Sequence, residues 1–183
     1  KFQSFGFDRQ SCRMVASFLR DRFFRIKVGE RLSSRRPVLA GVPQGSLLGP
    51  MLYNIFSCDI PAPPPGGLLL TYADDVLLAF SGPLARSVNR RVNEYLDALH
   101  RYFVTWRLKL NVGKCCATAF LGRPGIVYPN FKRFQPVLRI GSEQVPVSDK
   151  MKYLGVIFQE RFDHIRHIDY VLARAKGLYF GYS

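Results

Sequence analysis

The sequence predicts an α+β fold, with helices packed on one face of a mainly antiparallel sheet. Three observations carry that prediction. Apolar residues recur every three to four positions over 84–106, which marks a long amphipathic helix. Strand-length apolar runs flank a short polar break in LLLTYADDVLLAF at 68–80. Helix-period and strand-length segments then succeed one another in the order β-α-β-α-β-β, with Gly and Pro at the breaks.

Each element can be read in turn. Residues 11–20 predict a short helix. FFRIKV at 23–28 alternates Phe24, Ile26 and Val28 with Arg25 and Lys27, the pattern of a half-buried strand with a basic outer face. Gly29-Glu30 is its expected turn, and 34–40 its expected partner strand. Seven basic residues fall between Arg20 and Arg36, against only Asp21 and Glu30. A hairpin that basic can track phosphates or serve as a solvated edge that discourages aggregation. GVPQGSLLGP at 41–50 is loop material. Pro50 is acceptable only in a helix's first turn, so a helix carrying Leu48, Met51, Leu52, Ile55 and Phe56 should start at about 46–49. PAPPPGG at 61–67 ends it with a stiff link. In the helix over 84–106, Leu84, Val88, Val92, Leu96, Leu99, Phe103 and Trp106 form the apolar face. Arg86, Arg90, Arg91, Glu94, Asp97 and Arg101 form the polar one. Strands are predicted at 115–121, 137–140 and 151–158. A last helix over about 163–180 carries Ile165, Ile168, Leu172, Ala175 and Tyr179 on one face.

Composition narrows the function. The 183 residues, 48% hydrophobic, can bury the core of one ordinary domain. No signal-peptide pattern and no membrane-length apolar stretch is present. The net charge of +14 and pI near 10.1 point to a polyanionic partner. Nucleic acid is the first reading, and no basic amphipathic anchor helix supports a membrane surface. Cys12, Cys58, Cys115 and Cys116 contain no CxxC pair, which excludes a zinc-finger or disulfide framework. They read as apolar side chains in a reducing, intracellular compartment, nucleus or cytoplasm.

The chemistry concentrates at Asp74 and Asp75. Neighbouring residues of an extended strand point to opposite faces, so two aspartates that share a ligand need a turn between the apolar arms. Two carboxylates at about 4 Å repel by about 4 kcal/mol at an effective dielectric near 20. Either one takes a proton or a cation sits between them. Mg²⁺ suits such a pair, because it uses one or two carboxylates plus substrate phosphates. Two such ions about 3.5–4 Å apart activate a hydroxyl and stabilise a leaving phosphate.

Tyr72-Ala73-Asp74-Asp75 resembles the YxDD box of reverse transcriptases. AGVPQGSLLGPMLYNIF at 40–56 resembles the segment that precedes that box in LINE-type (non-LTR) retrotransposon enzymes, the jockey-like group above all. LKLNVGKC at 108–115 resembles the LxLNxxKT segment that follows it, and KYLGVIF at 152–158 the YLGV segment that contacts the primer. Four segments in the right order cover nearly the whole chain.

The resemblance implies an RNA-directed DNA polymerase that transfers nucleotides by a two-metal mechanism to a primer 3′ hydroxyl. It implies two Mg²⁺ ions (Mn²⁺ as a substitute) held by Asp74 and Asp75, with Tyr72 and Ala73 under the primer end. Pro43, Gln44 and Gly45 would contact the incoming nucleotide and templating base. Lys114 would assist the leaving pyrophosphate, although Cys115 stands where the pattern has threonine. Tyr153, Leu154 and Gly155 would form the primer-gripping turn. Residues 1–160 would be a partial polymerase palm with a basic hairpin at about 20–40, and 161–183 the start of a helical thumb. The partners implied are an RNA template, a DNA primer, deoxynucleoside triphosphates and other domains of the same polyprotein, with no membrane. His164 and His167 form HxxH without a visible third ligand. Their neighbours Arg161, Arg166, Arg174 and Lys176 fit a nucleic-acid-facing thumb better than a metal site.

One departure matters. The family's third catalytic aspartate lies in an upstream strand, and Asp8 in FGFDRQ does not match its context. The expectation is therefore an internal fragment of a longer polyprotein, lacking that strand and the fingers, inactive and poorly stable by itself. The alternative is a non-catalytic RNA-binding remnant of a decayed transposon copy.

Overall fold

The computed structural model describes residues 1–120, 134–160 and 164–180. It divides the chain into two compact units, Lys1–Ile60 and Pro61–Ser183, with the boundary at the proline-rich link.

In the first unit, Asp8 caps helix α1 (Arg9–Leu19). Its carboxylate accepts the Ser11 amide at 2.7 Å and the Ser11 hydroxyl at 2.9 Å. The amide bond, then the hydroxyl bond, hold the Asp8 carboxyl below the usual carboxylate range. Strands β1 (Phe23–Phe24), β2 (Lys27–Val28), β3 (Arg31–Leu32) and β4 (Arg36–Pro37) build one interrupted ribbon, β1 pairing β4 and β2 pairing β3. The turn falls at Gly29-Glu30 as expected, with Gly29 at φ +58. The burial does not follow expectation. Phe24, Ile26 and Val28 are 46%, 59% and 73% exposed, so the alternation marks no buried face. The partner strand predicted over 34–40 is reduced to Arg36–Pro37. Helix α2 (Leu48–Ser57) starts where Pro50 requires and buries Leu52. Lys1 pairs with Asp59 at 2.6 Å beyond the helix's end.

The second unit is built on a hairpin and a long helix. Strands β5 (Gly67–Tyr72) and β6 (Asp75–Phe80) pair antiparallel along their whole length, Gly67 opposite Phe80 and Tyr72 opposite Asp75. Gly67 is required there, since a Cβ would lie 2.9 Å from the Phe80 ring. Helix α3 (Ala85–Thr105) buries Tyr95, Leu96, Leu99, Tyr102 and Phe103. The Phe80 ring packs 5.8 Å from Tyr95 and fixes the hairpin to the helix. Four positions at α3 differ from the sequence reading, two of them Tyr95 and Tyr102, which are buried although the predicted apolar face omitted them. Leu84 is 68% exposed at the N-cap instead of joining the core. Arg91, placed on the polar face, lies 5.8 Å over the Phe80 ring and donates to the carbonyls of Pro65 and Ser81. Its long stem makes that reach possible.

Val112, Ile140 and Val145 complete this unit's buried hydrophobic set among the described residues. Strands β7 (Arg139–Ile140) and β8 (Glu143–Gln144) form one short hairpin, and β9 (Lys150–Tyr153) and β10 (Val156–Gln159) another. The single strand predicted at 151–158 is thus two strands and a turn. The strand predicted at 115–121 is only an isolated parallel bridge of Ala117 to Val147 among the described residues, and Leu121 lies outside them. Cys58 and Cys116 are exposed, so their reading as packed apolar side chains does not hold for these two.

Helix α4 (Ile165–Phe180) is held by polar contacts. The Ile157 amide donates to His167 Nδ1 at 3.4 Å, and Arg166 pairs with Asp149 at 3.2 Å. Lys152 donates to the Tyr170 hydroxyl at 2.7 Å and Arg174 at 3.3 Å, which together hold that phenol below its ordinary range. The predicted apolar face is open: Ile165, Ile168 and Leu172 are more than half exposed. Arg161 and the Tyr179 side chain lie outside what is described.

Helices and antiparallel strands are both present, as an α+β class requires. The expected single sheet is not formed among the described residues, where strands pair only two by two. No helix among those residues is long and apolar enough to cross a membrane.

Candidate active site

Asp74 and Asp75 sit at the tip of the β5–β6 hairpin. The sequence placed the turn at Asp74-Asp75, but the central residues are Ala73 and Asp74, and Asp75 already pairs with Tyr72. Of the two central residues only Ala73 has a positive φ, +51. Positive then negative φ is the pattern of a type II′ turn, whose first position favours glycine. Ala73 therefore carries a backbone cost of about 1 kcal/mol, held in place by six paired positions on each arm.

Strand alternation decides where the side chains go. Leu69, Leu78 and Phe80 share the half-buried face of the ribbon. Asp75 shares the other face with Tyr72, Leu70 and Leu68, which are 64%, 43% and 51% exposed. The carboxylates thus belong to the open side and tip of the ribbon. Neither makes a hydrogen bond or ion pair with any described residue. In solvent their mutual repulsion at about 4 Å is nearer 1 kcal/mol than the 4 kcal/mol of a low-dielectric site. Two unpaired carboxylates are what Mg²⁺ takes from a protein when phosphates supply the rest. No group of three or more His, Cys, Asp or Glu residues that could hold a metal ion occurs among the described residues.

Pro43, Gln44 and Gly45 lie in the first unit, on the loop into α2. Ser46 pins that loop. Its hydroxyl donates to the Pro43 carbonyl at 2.9 Å and accepts the Gly49 amide at 3.0 Å. A Cβ at Gly49 would sit 3.1 Å from that hydroxyl. Gly45 turns the chain at φ +79, and Gln44 is exposed with its amide unengaged. Such a side chain can offer a donor and an acceptor to a ligand.

Lys114 ends a 3-10 turn over Val112–Lys114, anchored by the buried Val112. Its ammonium is exposed and forms no ion pair with a described residue. Tyr153, Leu154 and Gly155 form the β9–β10 turn, Tyr153 half-buried and paired with Val156. Leu154 and Gly155 have φ of +47 and +85, both left-handed, as a type I′ turn requires. Leu154 is 50% exposed. Four described non-glycine residues have positive φ: Asp21, Ala73, Arg107 and Leu154. Asp21 and Arg107 follow helix ends, where such residues are common. Ala73 and Leu154 are the other two, and both sit in turns that the sequence marked as functional.

Tyr72, Ala73, Asp74 and Asp75 are thus brought together on one tip. Lys114 and the Tyr153–Gly155 turn stand on separate elements of the same unit, and no hydrogen bond or ion pair joins them to the aspartates. Sequence reasoning missed two supports. Ser46 was legible as a cap three residues before Gly49, in S-x-x-G. Asn89 and Asn93, one turn apart on α3, grip the segment before β7: the Val137 amide donates to Asn89 at 3.0 Å, and Asn93 accepts the Arg139 amide at 3.0 Å and donates to the Val137 carbonyl at 2.9 Å. Their i, i+4 spacing was the available signal.

An exposed acidic hairpin tip on a basic α+β chain is the setting of a nucleotidyl-transfer family, and the family comparison agrees. Residues 1–158 match the reverse transcriptase (RNA-dependent DNA polymerase) family, and the chain belongs to it. It is 32% identical over 162 residues to the RNA-directed DNA polymerase from mobile element jockey of Drosophila melanogaster, covering 85% of this chain and 17% of that protein. It is 33% identical over 165 residues to the probable RNA-directed DNA polymerase from transposon BS of the same species, with 85% and 17% covered. The probable RNA-directed DNA polymerase from transposon X-element, also from Drosophila melanogaster, is 27% identical over 168 residues, with 90% and 18% covered. The chain therefore spans about a sixth of the length of these curated relatives. No solved structure matches it significantly.

Proposed function

We propose that this chain is part of the polymerase centre of a non-LTR retrotransposon reverse transcriptase, a partial palm over 1–160 with the start of a thumb over 161–183. The observation that carries the proposal is the pair of exposed carboxylates, without a hydrogen bond or ion pair among the described residues, on a strained hairpin tip in a chain that belongs to this family. Asp74 and Asp75 bind divalent metal, Mg²⁺ in the first place. When bound, the metal lowers the barrier to attack by a primer hydroxyl and neutralises charge on the departing pyrophosphate. The chain's own residues orient the reactants. Tyr72 and Ala73 support the primer end beside the carboxylates, and the Tyr153–Gly155 turn grips the primer. Gln44 hydrogen-bonds a nucleotide from a loop whose shape Ser46 fixes. Lys114 offers an ammonium to the leaving phosphate. A third carboxylate, from sequence outside this chain, completes the ligand set.

The test is primer extension on an RNA template by a longer protein that contains this chain. The Asp74→Ala variant should abolish incorporation while the protein remains folded by circular dichroism. Equal extension by the variant would sink the polymerase reading. RNA binding without any extension by the unaltered protein would instead support the non-catalytic remnant.

A further inference from the structure

The ribbon of β1–β4 is left without a role by the site above, and its composition is unusual for a surface. Every residue from Phe23 to Pro37 is exposed. Both faces are open, because neither Phe24, Ile26 and Val28 on one side nor Phe23 and Leu32 on the other is buried. A two-stranded ribbon exposed on both faces is marginal in water, so a bound partner would stabilise it.

The ribbon itself states what that is. Arg25, Lys27, Arg31 and Arg36 are exposed and form no ion pair with a described residue. The register places Arg31 beside Val28, and Arg36 beside Phe24, so cations and apolar rings share a face. On the opposite face the Arg35 guanidinium stacks 3.5 Å over the Phe23 ring. Between the two halves the pairing slips by one residue: Phe24 faces Arg36, yet Lys27 faces Leu32. That bulge leaves Ser34 and Arg35 opposite Arg25 and twists the ribbon. The base of the ribbon is fixed, since Arg22 bonds the carbonyls of Leu19 at 3.1 Å and Gly41 at 2.6 Å. Cations interleaved with exposed aromatic rings are the chemistry that takes phosphates and unstacked bases together. A duplex offers phosphates but keeps its bases stacked, and an acidic peptide offers no flat bases.

We propose that residues 22–38 bind single-stranded RNA, with phosphates on Arg31 and Arg36 and a base stacked on Phe24, the three side chains that the register puts on one face. The proposal rests on the family reading only for RNA as the strand bound.

The test is fluorescence anisotropy with the whole 183-residue chain and a labelled single-stranded oligoribonucleotide, over a salt series. Arg31→Gln/Arg36→Gln should flatten the slope of log affinity against log salt by about 1.4, at about 0.7 per lost phosphate contact. Phe24→Ala should weaken binding about 5- to 100-fold with the slope unchanged. These side chains are exposed, and circular dichroism checks that each variant is folded. Unchanged affinity and slope in the double variant would overturn the proposal. So would equal binding of duplex and single strand with no effect of Phe24→Ala. Loss of self-association in Phe24→Ala with RNA binding intact would make the ribbon an interface between copies instead, and overturn it too. None of these readouts uses Asp74, so the ribbon can fail while primer extension stands, and the reverse.

Discussion

Ala73 and Leu154 show how a residue's backbone can be at odds with its identity. Each takes a left-handed conformation that glycine or asparagine would hold with less strain. At Leu154 the following residue is already Gly155, so Leu154→Asn creates the Asn-Gly pair that type I′ turns favour. The side chain lost is half exposed, so little packing is given up. We expect Leu154→Asn to raise the unfolding free energy by about 0.5–1 kcal/mol. The urea midpoint should move up at unchanged slope. A lower midpoint would mean that Leu154 packs more than its exposure indicates. If it does not, the leucine is retained for something other than stability, which is consistent with a turn that meets primer. The hairpin that carries the aspartate pair was legible as two apolar arms around a polar break. Its geometry was not. The turn was placed one residue late because Asp favours turns in general, while pairing of Tyr72 with Asp75 depends on the register of both arms.

At the scale of elements, legibility followed the length of the pattern. The 21-residue helix α3 repeats its apolar stripe often enough to fix its extent and the centre of its buried face at Leu96, Leu99 and Phe103, although Tyr95 and Tyr102 are buried beside them. Short strands carry no such redundancy. Alternation over 23–28 specifies which side chains share a face, but not whether anything covers that face, and here nothing among the described residues does. Helix α2 was legible at its start for a different reason, because Pro50 admits only the first turn. What pins that start is Ser46, whose hydroxyl bridges the Pro43 carbonyl and the Gly49 amide. Ser46→Ala removes the cap and frees the Pro43–Gly45 loop together. We expect a loss of about 1 kcal/mol. Hydrogen exchange at the Gly49 amide should accelerate about fivefold, the factor that corresponds to that energy. Unchanged exchange at Gly49 would show that the loop is held by other contacts.

Across the whole molecule, stability is distributed unevenly. Of the nine buried hydrophobic residues described, only Leu52 belongs to Lys1–Ile60, and the other eight belong to Pro61–Ser183. Hydrophobic burial is the main favourable term in folding, so the first unit has little to offset its conformational entropy. The exposed residues point the same way. Phe23, Phe24, Ile26, Val28 and Leu32 lie in the first unit's ribbon, and Met14 on α1 is 69% exposed. In the second unit the core gathers around α3, where Tyr95, Leu99 and Phe103 are at most 8% exposed. Local opening free energies should therefore separate by unit. Native-state hydrogen exchange of the isolated chain measures this directly. Amides of α3 from Tyr95 to Phe103 should exchange slowest. Those of α1 and of residues 22–38 should exchange close to intrinsic rates, at least 100-fold faster than α3, a gap of about 3 kcal/mol or more. Equal protection of α1 and α3 would show that the first unit is stabilised by more than its buried area provides. The tip with Asp74 and Asp75 belongs to the unit with eight of the buried hydrophobic residues described, while the Pro43–Gly45 loop and the basic ribbon belong to the unit with one.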